Sequence, residues 1–131
     1  MPRRVAFYGP HAYAYSGHLH PARALTPLLE ALRRRVEEAS EHPLNTVLLN
    51  LYRDGNDSVS WHSDDDYPHG GHPAVASLSL GAARRFRIAE KRGTGRYDLE
   101  LTSGGLLVME GRASSTTGTR CRSRGSSTRR V

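Results

Sequence analysis

From Thr46 to Met109 the apolar residues arrive in short runs, each closed by turn-forming residues, a pattern too short for helices and suited to strands. Thr46-Val-Leu-Leu-Asn-Leu-Tyr52 ends in the turn cluster Asp54-Gly-Asn-Asp57, after which a second strand is expected through Val59 and Trp61 to His62. Ala74-Val-Ala-Ser-Leu-Ser-Leu80 has the small, apolar character of a strand buried on both faces. Phe86 and Ile88 alternate with arginines, Tyr97, Leu99 and Leu101 with acids, across Gly93-Thr-Gly95, which predicts a hairpin. Gly104-Gly105 then leads into Leu106-Leu-Val-Met109, a strand that needs covering on both edges. One segment keeps a different period. Thr26-Pro27 supplies an N-cap and a first-turn proline, and Leu28, Leu32, Val36 and Ala39 follow at helical spacing, so a helix is predicted over 27–40.

The 131 residues suffice for one domain with a modest core. The net charge of +6 would ordinarily point to nucleic acid or an anionic surface. Its position changes that reading: the acidic residues all lie in 1–111, matched there by as many basic ones, while Arg112, Arg120, Arg122, Arg124, Arg129 and Arg130 carry the whole excess. Residues 112–131 are Ser, Thr, Arg and Gly with almost nothing apolar, and read as a disordered basic tail appended to a 1–111 core. The lone Cys121 permits no internal disulfide, which suits a reducing cytoplasm. No apolar run approaches the ~18 residues of a membrane span, and the first residues lack the apolar stretch of a signal peptide.

His62 and Asp64 stand two apart at the end of the predicted second strand, where alternate side chains share a face. Such a pair with a distant second histidine makes the 2-His-1-carboxylate site of non-haem iron(II) oxygenases. The histidines are His11, His18, His20, His42, His62, His69 and His72, so none downstream of 72 completes the set. Zinc held by His62, Asp64 and His69 or His72 is an alternative, as is a non-enzymatic nucleic-acid binder that uses the arginine tail. A solvated surface His-Asp pair is the plain reading.

Residues 1 to 111 resemble the AlkB-like family of iron(II)/2-oxoglutarate-dependent dioxygenases that repair alkylated nucleic acids. The resemblance rests on Pro2-Arg3, Tyr8-Gly9 and Tyr13-Ala-Tyr-Ser-Gly17 near the start, and on Asn45-Thr-Val-Leu-Leu-Asn-Leu-Tyr-Arg-Asp-Gly55. It continues through Trp61-His-Ser-Asp-Asp-Asp66, Ala76-Ser-Leu-Ser-Leu-Gly-Ala82 with Arg85-Phe86, and Ser103-Gly-Gly-Leu-Leu-Val-Met-Glu-Gly111. Several motifs in order are far more specific than a bare His-x-Asp.

The resemblance implies an α+β fold in which a helix packs on a mostly antiparallel double-stranded β-helix, or jelly roll, here lacking its final strands. It implies His62 and Asp64 as Fe(II) ligands, 2-oxoglutarate as co-substrate held by Asn50 and Tyr52, and alkylated DNA or RNA as partner of a cytoplasmic monomer. Asp66 corresponds to the position that contacts the alkylated base, with a solvated loop acid as its plain alternative. Asp65 reads as solvated. Tyr8, Tyr13 and Tyr15 are candidates to line the nucleotide groove, and packing accounts for them equally well; Arg53 or Arg85 would steer phosphates. Asn50 and Tyr52 have plain readings too, a strand-end amide and a core aromatic.

After Met-x-Gly the family carries a segment like Gln-x-x-Trp-x-His-x-Val-Pro-Lys with the second iron histidine, and later an Arg-x-Asn-x-Thr-Phe-Arg strand that holds 2-oxoglutarate. Neither occurs in these residues. Yet Ser114-Ser-Thr-Thr-Gly-Thr-Arg-Cys-Arg-Ser-Arg124, with the base before it, back-translates to bases that one frame over spell Gln-Gln-His-His-Trp-His-Ala-Val-Pro-Lys-Ser. A single-base shift near 111–113 is therefore expected in the coding DNA. The chain as written is expected to bind iron poorly and to leave Leu106–Met109 uncovered.

Overall fold

The computed structural model describes residues 3–15, 17–62, 74–89, 94–109 and 129–130. Among the described residues, nine short strands and one helix fall into two compact units: residues 3–52, and residues 53–131 together with the first two.

In the first unit, β1 (Arg4–Tyr8) pairs antiparallel with β4 (Val47–Leu51), with Val5 opposite Asn50 and Phe7 opposite Leu48. The hairpin β2 (Tyr13–Tyr15) and β3 (His18–His20) sets Tyr13 opposite His20 and Tyr15 opposite His18. None of β1, β2 and β3 is predicted above; β2 and β3, at three residues each, are too short for a periodicity to show. Phe7 is buried, and Tyr13 stacks on it with ring centroids 4.9 Å apart and planes at 7°. Tyr13 is thus a packing residue of this small core.

The helix α1 (Pro27–Ser40) has the predicted bounds, and its ends explain them. Thr26 Oγ1 accepts the Leu29 amide at 3.3 Å, Pro27 needs no amide partner at the first helical position, and Glu41 leaves the helix at φ 61°. The apolar stripe is phased one residue later than predicted at the start: Leu29 and Ser40 are buried, Leu32 and Val36 half-buried, whereas Leu28 and Ala39 are exposed. Arg33 ties the helix to the following chain, donating to Glu30 and to the Leu44 carbonyl, while Glu37 accepts the Leu44 amide at 2.6 Å. Hydrogen bonds from Arg33 and then Arg34 hold the Glu30 carboxyl down to about 2.

In the second unit, β8 (Leu106–Met109) lies between β5 (Val75–Leu78) and β9 (Arg129–Arg130), antiparallel to the first and parallel to the second. All four β8 residues are buried. This corrects the expectation of an uncovered β8, since Arg129 and Arg130 of the tail pair with Leu107 and Val108; residues 112–128 lie outside the described residues. The predicted hairpin forms, β6 (Arg84–Ala89) pairing antiparallel with β7 (Arg96–Leu101), and its register sets Phe86 opposite Leu99 and Ile88 opposite Tyr97.

The strand expected through Val59 and Trp61 does not form: residues 57–62 have no ladder. Local polar groups compete successfully for the backbone here. Asp54 Oδ1 accepts the Asn56 amide at 2.7 Å and the Asp57 amide at 3.3 Å. Asp57, 2% exposed, accepts from the Arg53 amide, Nε and Nη2, each at 2.9 Å. Arg84 on β6 donates to the carbonyls of Asp54 and Asp57, which ties the loop to the β6–β7 hairpin.

The Arg53 hydrogen bonds hold the Asp57 carboxyl down to about 2, below its ordinary 3.8. A depressed folded-state value stabilises above the unfolded value and loses that stabilisation as pH falls towards the folded one. Asp57→Asn is therefore expected to lower Tm at neutral pH by several degrees and to flatten the fall in Tm from about pH 5 to about pH 2. A thermal melt series across that range checks both; an unchanged acid limb would show that Asp57 contributes nothing to it.

Candidate active site

Asn50 and Tyr52 leave the end of β4 two residues apart, Asn50 exposed and Tyr52 half-buried. Arg3 Nε donates to Asn50 Oδ1 at 2.8 Å. This contact was not foreseen; the only hint of it is the alternation Arg3, Val5, Phe7, which puts Arg3 on the face that Asn50 shares. Tyr8 carries the Arg23 guanidinium over its ring, 5.1 Å from the centroid, so one face of that ring is in a cation–π contact. Tyr15 sits on β2 opposite His18 by its backbone, and its side chain is outside the described structure. The same unit holds an open cleft of about 610 Å³ bordered by Gly9, Pro10, Arg23, Leu44 and Asn45, and no predicted site residue lines it.

In the other unit, His62 ends the loop that Asp54 and Asp57 organise. Its Nδ1 lies 2.9 Å from the Ser60 carbonyl oxygen. A carbonyl only accepts, so Nδ1 carries a proton in this contact. In the neutral ring, that is the tautomer in which a histidine ligates a metal with its outer nitrogen, the other nitrogen being held by the backbone. Trp61 beside it is 45% exposed. Asp64, Asp65, Asp66, His69 and His72 lie outside the described residues, and among the described ones no three His, Cys, Asp or Glu form a metal-binding group. In the second unit, His62 offers an imidazole of the kind that suits Fe(II), and in the first, Asn50 and Tyr52 offer an amide and a phenol of the kind that suits a carboxylate. The parts sequence reasoning missed are the supports, Arg3, Asp57 and Arg84. A turn cluster announces that Asp57 is polar, but nothing in it tells that the carboxylate is buried.

The chain belongs to the 2OG-Fe(II) oxygenase superfamily, which it matches over residues 4–116. It is an AlkB-like member. It is 42% identical over 121 residues to the alpha-ketoglutarate-dependent dioxygenase alkB homolog 3 of Mus musculus, covering 85% of this chain and 42% of the mouse protein, and equally identical to the protein of that name from Homo sapiens. The DNA oxidative demethylase ALKBH2 of Homo sapiens is 33% identical over 119 residues, 83% of this chain and 46% of that protein. The chain thus spans less than half the length of these relatives. No helix among the described residues is long and apolar enough to cross a membrane.

Proposed function

We propose that the chain is built for Fe(II)- and 2-oxoglutarate-dependent oxidative demethylation of N-alkylated bases in DNA or RNA. The observation that carries this is the family match over residues 4–116, a range that takes in Asn50, Tyr52, His62, Asp64 and Asp66. The relatives' names, a dioxygenase and a DNA oxidative demethylase, support the same reaction class. A cytoplasmic monomer with a jelly-roll core completes the reading.

When bound, iron with its co-substrate supplies the oxidation of an N-methyl group, which no protein acid or base performs. His62 gives an electron pair from Nε2, with the Ser60 carbonyl fixing its ring, and Asp64 gives a carboxylate. The Asn50 amide and the Tyr52 hydroxyl donate hydrogen bonds to the 2-oxoglutarate carboxylates. Asp66 offers negative charge to a base ring made cationic by methylation, and Tyr8 and Tyr15 border the base as flat apolar surfaces.

The second iron histidine and the clamp arginines have no counterpart in 112–131 as written, which we attribute to the single-base shift. The purified 131-residue chain, given Fe(II), 2-oxoglutarate, oxygen and a methylated oligonucleotide, is expected to release succinate at background rate. Robust 2-oxoglutarate-dependent release would overturn this. Resequencing codons 111–124 tests the shift itself, which is refuted if the second frame does not spell the histidine-bearing motif.

A further inference from the structure

We infer that Arg3 is a positioning residue that locks the Asn50 amide with its NH₂ group turned to the co-substrate and thereby selects a carboxylate there; this rests on the reading of Asn50 as a 2-oxoglutarate contact. The sheet brings the two together. Val5 is the cross-strand partner of Asn50, and Arg3, two residues earlier on the same face, stands at the diagonal position that a long side chain reaches. Its Nε lies 2.8 Å from Asn50 Oδ1.

An asparagine amide has two chemically opposite ends of nearly equal shape, one accepting and one donating twice. A guanidinium only donates and stays charged at any working pH. With Arg3 at one end, the oxygen must face it, and the NH₂ end is left for what approaches from the other side. Turning the amide over would set two donors against each other beside Arg3 and aim the oxygen at the incoming ligand. A carboxylate accepts only, so the locked orientation suits it and the reversed one repels it. A primary amide in place of that carboxylate meets the locked NH₂ only through its one oxygen and without charge, whereas a free-turning Asn50 also meets it through the ligand's own NH₂. Arg3 thus acts through Asn50, converting a permissive side chain into an anion-specific one, and its charge strengthens the donor end further.

NMR titration of the 131-residue chain with 2-oxoglutarate and with its two mono-amides tests this, following the Asn50 side-chain NH₂ signals and the backbone amides. Asn50→Ala is expected to weaken 2-oxoglutarate binding. Arg3→Met is expected to weaken it roughly 3- to 10-fold, to narrow the preference over one mono-amide by a similar factor, and to have no further effect in the Asn50→Ala chain. Arg3→Lys, which keeps a charged donor, is expected to recover most of both. Backbone amide spectra unchanged elsewhere show that each variant folds. If Asn50→Ala weakens binding and Arg3→Met does not, or if the two effects add, the positioning role is wrong while the reading of Asn50 stands. If Asn50→Ala leaves binding unchanged, the reading of Asn50 fails and the inference falls with it; Asn50 side-chain NH₂ signals that Arg3→Met leaves unmoved in the ligand-free chain refute the positioning role by themselves.

Discussion

Replacing residues 114–123 with the decapeptide Gln-Gln-His-His-Trp-His-Ala-Val-Pro-Lys is expected to raise Fe(II) or Co(II) affinity on the order of 100-fold. The native segment, Ser-Ser-Thr-Thr-Gly-Thr-Arg-Cys-Arg-Ser, offers one thiol and no imidazole. The replacement offers the histidine that, with His62 and Asp64, makes three protein ligands of the kind that hold non-haem iron. Two ligands leave a hydrated cation that exchanges easily; a third closes a face of the coordination sphere. Calorimetric titration, with the visible spectrum of Co(II) as a second readout, measures the gain. His62→Ala in the replaced chain is expected to return the affinity to the starting level, and retention of tight binding there would show that His62 is not a ligand. Failure of the replacement to gain affinity at all would sink the proposed shift and leave the tail as authentic sequence.

Leu107→Ala is expected to lower stability by about 2–5 kcal/mol, the ordinary cost of emptying a fully buried leucine site. Leu107 is 2% exposed at the centre of β8, between Ser77 of β5 and Arg129 of β9, and its neighbour Val108 is 1% exposed. Leu80→Ala, at a leucine 70% exposed, is the matched control and is expected to stay within about 0.5 kcal/mol of the parent. Denaturant melts of the two variants compare them directly. Equal effects would mean that β8 is not the core strand of its unit.

Much of this architecture is legible in the residues. Thr26-Pro27 starts the helix where it starts because a hydroxyl cap and an amide-free proline are local requirements, met within a few residues. The Phe86–Leu101 hairpin is legible for the same reason, its alternation matching the two-residue strand period. The segment after Asp57 reads as a strand because Val59 and Trp61 alternate properly, whereas the deciding forces are hydrogen bonds to Asp54, Asp57 and Arg84, the last from 27 residues away. The cover on β8 was missed because a Ser/Arg-rich tail carries no pattern of its own, and main-chain pairing asks nothing of side-chain hydropathy.

The same division holds at the candidate site. His62, Asn50 and Tyr52 are named by motif, since chemistry restricts which residue types can ligate a metal or donate to a carboxylate. How they are held is a matter of contacts between distant residues: Arg3 against Asn50 across 47 positions, Arg84 against the Asp57 carbonyl across 27. Residue type and local spacing are properties of adjacent positions, so the chain alone determined the helix, the runs of β4, β5 and β8, the β6–β7 hairpin and which groups are candidates for the site. Amide orientation, the burial of Asp57 and the pairing of β8 depend on which remote segments meet, and that was decided only when the chain folded.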